Sequence, residues 1–160
     1  MYHPQIYNPN SSKAIAHITE SSVNSSMTAG KKIEIDSTGF SHPNITISSG
    51  QFVIAAGEHL ILGTTMATIN PISSTTESTL IFQFYDVTNS QYVGTQGRRM
   101  VKFSGTATKN RVPVASCYIN TAITLELRCV STSGAGVNAW TSYPGTSYIG
   151  SSWVSIYTSL

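Results

Sequence analysis

Apolar and polar residues alternate with a period of two over most of the chain after its first 30 residues. The clearest example is the run 79–87. Its apolar side carries Leu80, Phe82 and Phe84, and its polar side carries Gln83 and Tyr85. Successive side chains of a β-strand point to opposite faces, so this run predicts a strand with one face in the core and the other in solvent.

The same pattern predicts several more strands, and turn residues separate them. Strands are expected near 33–35, 45–47, 52–54, 58–69, 91–95, 98–103, 112–119, 122–130 and 153–158. Asn120-Thr121 is expected to close a hairpin between two of them, and 131–136 is expected to be a loop of small residues. No amphipathic helix of 11 residues and no internal repeat is visible. The chain is therefore predicted to be all-β, an antiparallel sandwich or barrel.

Residues 1–30 differ in character from the rest of the chain. They contain two prolines, three serine pairs and only scattered apolar residues. Such a segment cannot bury enough apolar surface to order itself. We expect an extended N-terminal arm over 1–30, with a helical turn over 13–18 left open, and one sandwich domain over 31–160. The arm is expected to contact a partner or a neighbouring subunit through Tyr2, Ile6 and Tyr7.

Composition narrows the class of protein further. The 160 residues include 24 serines and 20 threonines, and charged residues are only 10%, against about 25% in ordinary soluble domains. The formal net charge is +2, so little electrostatic repulsion opposes self-association. No apolar run approaches the roughly 18 residues of a membrane-spanning helix, so membrane insertion is not expected.

The two cysteines are too far apart in sequence for a metal knuckle or a redox pair. If Asn120-Thr121 closes a hairpin, Cys117 faces Thr124 and not Cys129. Both are therefore predicted to be buried free thiols. The N-terminus has neither a basic region nor an apolar stretch, so no secretory signal is expected.

Four segments resemble a known family. FVIAAGEHLILG at 52–63 is similar to the opening strands of tumour-necrosis-factor-like jelly rolls in phage virion proteins. FYDVTNSQYVGT at 84–95 is similar to another of their segments, with Asp86 where many members have Asn. The strand at 122–129 and the closing Trp153-Val154-Ser155-Ile156 fit the late strands of such domains.

The resemblance implies a jelly roll that forms a homotrimer in a bacteriophage virion. The first expectation is a capsid decoration (cement) protein that stabilises the capsid surface, bound to the major capsid protein or other virion proteins. The alternative is a receptor- or carbohydrate-binding head of a tail fibre or vertex spike, with a host surface glycan as partner. A chain that starts at Met with only about 30 arm residues, and so without a shaft, favours decoration. Such a protein is made in the host cytoplasm and resides in the virion.

Groups for catalysis are sparse. His59 is the one histidine on a predicted strand, and its neighbour Glu58 points to the opposite face, so packing is the expected role of His59. The seven acidic residues are scattered, and no phosphate-binding glycine motif occurs. We therefore expect no enzyme, no catalytic residues, no metal site and no cofactor.

Basic residues are concentrated in one stretch. Between Asp86 and Glu126 no acidic residue occurs, while five of the nine basic residues do. They are Arg98, Arg99, Lys102, Lys109 and Arg111. They form either a solvated edge that prevents aggregation or a basic surface patch that contacts an acidic capsid surface or bacterial phosphates. Nucleic acid is not expected as a partner, because a net charge of +2 is small for phosphate binding.

Aromatic residues are frequent near the C-terminus. Trp140, Tyr143 and Tyr148 lie in a stretch rich in glycine, serine and proline, so we expect them on loops. There they either stack on sugar rings or anchor a protein interface, or they pack within the trimer.

Overall fold

The computed structural model describes residues 14–19, 25–35, 42–70, 78–101, 114–134, 136–140 and 153–158. These residues form twelve strands and no helix. The strands are β1 (Ala14–Thr19), β2 (Ser25–Ser26), β3 (Ile45–Ser48), β4 (Gln51–Ile54), β5 (His59–Thr64), β6 (Met66–Asn70), β7 (Ser78–Asp86), β8 (Gln91–Val101), β9 (Ala115–Ile119), β10 (Ile123–Ser133), β11 (Gly136–Trp140) and β12 (Trp153–Thr158). The prediction of an all-β antiparallel fold is confirmed.

Nine of the strands form one curled antiparallel sheet in the order β1-β12-β5-β9-β8-β7-β10-β4-β3. Among the described residues, only the pair Thr95 and Ser116 joins β8 to β9, so the sheet divides there into two layers. We call β1-β12-β5-β9 the front layer and β8-β7-β10-β4-β3 the back layer. The remaining strands form a small sheet in the order β2-β11-β6.

The core lies between the two layers. In β7, Leu80, Phe82 and Phe84 are fully buried, as the alternation predicts. Burying each of these side chains contributes about 1.5–3 kcal/mol. Phe84 reaches so far across the core that a Cβ added to Gly63 of β5 would lie 2.8 Å from its ring. The back layer therefore packs directly on the backbone of the front layer at this point.

Strand β8 contains a bulge where it passes from one layer to the other. Phe82 is opposite Gly97, but Phe84 is opposite Val93, so β8 holds two extra residues between these pairs. Gln83 of β7 fills the gap by donating a 2.8 Å hydrogen bond to the Gly94 carbonyl. The two strands predicted at 91–95 and 98–103 are thus one strand, bent at its middle.

The predicted hairpin at Asn120-Thr121 is wrong. β9 belongs to the front layer and β10 to the back layer, and the two do not pair, so the exposed link 120–122 passes from one layer to the other. Periodicity cannot distinguish these cases, because each strand has an inward apolar side in either arrangement. Cys117 and Cys129 consequently lie in different layers, and both are buried free thiols as predicted.

The N-terminal part described by the structure is integrated with the sandwich. β1 pairs with β12 over its whole length, so the helical turn left open over 13–18 does not form. Met27, Ile33 and Ile35 lie in the core, on both sides of the predicted boundary at residue 30. The contact of the arm with a partner stays a prediction, because Tyr2, Ile6 and Tyr7 are outside the described residues.

The segment after Met27 completes the edge of β10. The Ile33 amide donates to the Leu127 carbonyl at 2.8 Å, and the Cys129 amide donates to the Lys31 carbonyl at 2.9 Å. β4 pairs with β10 only as far as Leu125. Beyond that point, the segment 30–33 takes the place of β4 beside β10. Two smaller differences concern strand ends: the predicted strand 58–69 breaks at Thr65, and 131–133 belong to β10 and not to a loop.

Gly94 is expected to be essential to the join between the layers. It has φ +73°, and an added Cβ would lie 2.0 Å from the Ser116 carbonyl oxygen. Gly94→Ala should therefore destabilise the protein by about 2–5 kcal/mol, from backbone strain and overpacking together. Gly30→Ala is the matched control, since Gly30 has φ +82° in open space and should cost only about 1–2 kcal/mol of strain. Urea denaturation measures both, and equal losses would contradict the close approach.

Candidate functional site

Apolar side chains lie on the outward side of the front layer, where a solvated sheet face normally carries polar residues. Leu60 lies directly between Tyr118 of β9 and Tyr157 of β12 in the strand register. Leu60 is 43% exposed and Tyr118 is 62% exposed, while Leu62 and Tyr157 are half-buried. We call these four residues the front face. The exposure of Leu60 and Tyr118, with the half-buried Leu62 and Tyr157 beside them, marks a surface suited to another protein.

One charged group borders the front face. Tyr118 lies beside Glu58, and slight desolvation, the Glu58 charge and a hydrogen bond to that carboxylate raise the pKa of Tyr118. The phenol is therefore neutral at physiological pH. The hydrogen bond directs its hydroxyl toward Glu58 and leaves the ring as exposed apolar surface.

The outward side of the back layer is different in character, because its side chains bind one another. Tyr85 lies opposite both Tyr92 of β8 and Glu126 of β10. The rings of Tyr85 and Tyr92 meet edge to face with centroids 5.2 Å apart. The Arg128 guanidinium carbon lies 3.6 Å from the centre of the Tyr85 ring, which is a close cation–π contact. With Gln51, these residues form what we call the tyrosine–arginine cluster.

Glu126 is the polar centre of the cluster. Its carboxylate accepts a 2.6 Å hydrogen bond from Nε of Arg128 and a 2.8 Å hydrogen bond from Gln51. Burial by itself would raise the pKa of Glu126, but these hydrogen bonds and the charges of Arg128 and Lys32 lower it below its usual value. Glu126 therefore keeps its negative charge on a face that is only partly solvated.

Tyr92 is the most exposed member of the cluster, at 38%. Its hydroxyl donates to the Cys129 carbonyl of β10 at 3.3 Å, so the ring extends from β8 across β7. Burial is the largest cause that raises the pKa of Tyr92, and its phenol is neutral. One aromatic ring thus lies across the back layer beside a fixed guanidinium.

Of the two described members of the predicted basic patch, only one lies on the surface. Arg98 is exposed, but Arg99 is 7% exposed and lies opposite the buried Leu80, because neighbouring strand residues point to opposite faces. Arg99 donates a 2.6 Å hydrogen bond to the Thr65 carbonyl, and burial lowers its pKa. It connects β8 to the end of β5. Lys102, Lys109 and Arg111 lie outside the described residues.

The predicted aromatic loop is corrected at one position. Trp140 ends strand β11, where it pairs with Met66, and is not on a loop. Tyr143 and Tyr148 lie outside the described residues, so their role stays a prediction. Sequence reasoning missed the tyrosine–arginine cluster. The one available signal was the outward side of the run 79–87, which already placed Tyr85 on the solvent face.

The groups with catalytic chemistry serve structural roles in the part of the chain that the structure describes. His59 is buried, with Nε2 3.0 Å from the Ala55 carbonyl and Nδ1 3.0 Å from the Thr158 hydroxyl, so it is a packed residue as expected. Burial raises the pKa of Cys117 to about 12 and that of Cys129 to about 11. Both remain thiols at neutral pH and are weak nucleophiles.

The described residues contain neither a metal site nor a membrane-spanning helix. No group of three or more His, Cys, Asp or Glu side chains is arranged to hold a metal ion. Asp86 uses its carboxylate within the turn that follows β7, where it accepts from the Thr88 and Asn89 amides. No helix among these residues could cross a membrane.

Comparison with known proteins identifies the fold. No family model matches the chain, and no curated protein matches it. Among solved structures, the chain is similar to the structure of Eiger TNF from S. frugiperda, with a TM-score of 0.55 and 11% sequence identity. The match covers 91% of this chain and 92% of that chain. At this identity the likeness shows the fold alone, and it confirms the predicted TNF-like jelly roll.

Glu126 is expected to stabilise the back layer in a pH-dependent way. Because its pKa is lowered in the folded state, its contribution is complete above the pKa of an unfolded carboxyl group and disappears as the pH falls through the lower folded value. Glu126→Gln should lose about 1–3 kcal/mol of unfolding free energy at pH 7. The difference from the unmodified chain should shrink as the pH falls below about 4.

Glu34→Gln is the control for that measurement. The Glu34 side chain is 50% exposed, and it pairs with Lys32 at 3.4 Å. Exposed ion pairs contribute about 0–1 kcal/mol, so this variant should be close to the unmodified chain at every pH. Urea denaturation of both variants from pH 3 to pH 8 distinguishes them. A loss in Glu126→Gln that does not depend on pH would contradict the role of its charge.

Proposed function

We propose that this chain is a structural protein of a bacteriophage virion, a homotrimeric jelly roll that decorates and stabilises the capsid surface. The observation that supports self-association is the exposed front face, where Leu60 lies between Tyr118 and Tyr157. Its partners in the virion are further copies of the chain and the major capsid protein or other virion proteins. No catalytic activity is proposed.

The chemistry of the front face favours a second copy of the same chain as its occupant. Its four residues carry no charge, and the whole chain has only nine basic and seven acidic residues, so identical copies repel one another weakly. Removing apolar surface from water contributes about 25 cal/mol per Å². A cyclic arrangement buries the same patch on every copy and leaves none exposed. The TNF-like fold and the segment resemblance support three copies.

The virion role is supported by the segment resemblance. FVIAAGEHLILG spans β4 and most of β5, and FYDVTNSQYVGT spans the end of β7 and the first part of β8. These segments contribute to both layers of the sandwich. Leu60 belongs to the first and Tyr92 to the second, so the resemblance includes residues on both candidate surfaces. We propose that the N-terminal residues attach the trimer to the capsid.

Two experiments test the virion role. Quantitative mass spectrometry of purified particles should find hundreds of copies for each particle if the protein covers the capsid lattice. Deletion of residues 1–12 leaves β1 and the core residue Met27 in place, so a folded trimer is expected that no longer binds capsids. Absence of the protein from particles would overturn the proposal, and unimpaired capsid binding after the deletion would exclude the arm as the attachment.

The second candidate function is a receptor-binding head. One observation favours it: in the tyrosine–arginine cluster, the exposed Tyr92 packs edge to face on the Tyr85 ring, and the fixed guanidinium of Arg128 stacks on that same ring. This surface is separate from the front face. A count of only a few to a few tens of copies for each particle would support this candidate over decoration.

Self-association is expected to depend on the front face. Leu60→Asp and Tyr118→Asp each place a carboxylate in a surface that the trimer would remove from water. Burying a carboxylate there costs far more free energy than leaving it exposed on a monomer. Each should convert the trimer to monomers with the fold unchanged. Val53→Asp is the control, since Val53 is 46% exposed but lies on β4 of the back layer.

Analytical ultracentrifugation measures the outcome. The unmodified chain and Val53→Asp should sediment as trimers, and circular dichroism should show β-structure in all variants. If the unmodified chain is monomeric at high concentration, the proposed trimer is wrong. If both front-face variants remain trimeric, a different surface holds the copies together.

A further inference from the structure

We infer that the tyrosine–arginine cluster is a binding site for an anionic saccharide, a sugar ring that carries a carboxylate or a phosphate. The sugar ring would lie on Tyr92, and its anionic group would bind the terminal amino groups of Arg128. This inference names the ligand of the receptor-binding candidate and rests on that candidate, independently of the front face.

Arg128 is held in place before any ligand arrives. Its guanidinium is stacked on Tyr85 at 3.6 Å, and Nε is bonded to Glu126 at 2.6 Å. Glu126 is in turn held by Gln51. In its described hydrogen bonds, Arg128 donates through Nε and not through its terminal amino groups. Its side chain is 24% exposed. A guanidinium fixed in this way loses little conformational entropy on binding, and its planar fork matches carboxylate and phosphate groups.

Tyr92 supplies the apolar part of the site. Its ring crosses β7, and its hydroxyl donates a hydrogen bond to the Cys129 carbonyl of β10. The residue is 38% exposed. An aromatic ring with one end polar and its body exposed offers a large rigid contact surface. The C–H groups on one side of a sugar ring can pack on such a surface while its hydroxyls bind the polar groups around it.

The extent of the cluster fits one sugar and not a protein. Tyr92 and Val53 are the exposed large apolar residues described on this layer, and β7 and β10 lie between their strands. A stable protein interface needs about 800 Å² on each partner and an apolar centre. One ring next to one guanidinium has the dimensions of a monosaccharide.

The charges around the cluster favour an anion over a neutral sugar. Glu126 within the cluster is paired with Arg128, and Glu34 is paired with Lys32, whose charge also acts on Glu126. Arg98 adds an exposed positive charge farther along β8. An incoming carboxylate or phosphate therefore meets a Glu126 charge that Arg128 already balances.

The test is a titration of the isotope-labelled full chain followed by NMR. Methyl β-D-glucuronide and glucose 6-phosphate are the two anionic probes, and methyl β-D-glucoside is the neutral control. At millimolar concentrations the anionic probes should shift resonances of Tyr85, Tyr92 and Arg128, and the glucoside should bind at least roughly tenfold more weakly. Binding of one anionic probe alone identifies whether the anion is a carboxylate or a phosphate. No shift with either probe, or equal binding of the glucoside, would overturn the inference.

Two variants separate the contribution of the Tyr92 ring from that of the planar Arg128 guanidinium. Tyr92→Leu keeps an apolar side chain but removes the ring, and Arg128→Lys keeps the charge beside Glu126 but removes the planar fork. Each should weaken binding of the anionic probes by roughly tenfold or more. Val53→Ala, at an exposed apolar residue of β4 on the same layer, is the control and should bind normally. Unchanged binding in both cluster variants would place the sugar elsewhere and overturn the inference.

Adsorption to host cells distinguishes this inference from the candidate function on which it rests. If Tyr92→Leu abolishes adsorption while neither anionic probe binds, the receptor-binding candidate stands and the anionic-saccharide assignment fails. If the unmodified protein does not adsorb to cells, the receptor-binding candidate itself fails. Binding of the probes together with loss of adsorption in Tyr92→Leu supports both.

Discussion

The phenyl rings of β7 pack against bare backbone, and the rest of the sandwich depends on that contact. An added Cβ at Gly63 would lie 2.8 Å from the Phe84 ring, and one at Gly97 would lie 2.4 Å from the Phe82 ring. The two largest core side chains of β7 therefore fit only because glycine stands opposite them in β5 and β8. The contact between Phe84 and Gly63 sets the spacing of the layers, because it joins β7 of the back layer to β5 of the front layer. The bulge at Gly94 lets β8 bend until Thr95 pairs with β9. A core filled in this way uses the inward faces of both layers, so the layers themselves offer only their outward faces for binding.

Those two outward faces are chemically different. On the front layer, Leu60 and Tyr118 expose apolar surface that the fold itself does not cover, so the free energy available there comes from removing water. On the back layer, Glu126 is 4% exposed although it points outward, because its neighbours cover and bind it. The first surface is suited to a large apolar contact between copies. The second is suited to a small polar ligand that meets groups already held in place.

The strands could be predicted from the sequence because their pattern is local. The alternation in 79–87 placed Leu80, Phe82 and Phe84 in the core correctly, and short motifs identified the jelly roll. The pairing of strands was harder to predict: Asn120-Thr121 crosses between layers, although the flanking pattern is equally typical of a hairpin. The charge of Arg99 predicts a position on the surface, yet Arg99 is buried because it lies opposite the core residue Leu80. The tyrosine–arginine cluster joins β4, β7, β8 and β10, so only the strand order brings its members together.

The separation of the two surfaces has a consequence for affinity. If three copies bury their front faces around one axis, each back layer lies on the far side of its sandwich and faces outward. One assembly then presents three tyrosine–arginine clusters in a fixed arrangement. A site built from one ring and one guanidinium is expected to bind a single sugar weakly, since so small a contact buries little surface. A repeating polysaccharide that reaches two or three of these sites gains avidity of about 10²–10⁴ without any new contact. Weak single-sugar binding is therefore compatible with firm attachment to a cell surface, provided that the front face holds the copies together.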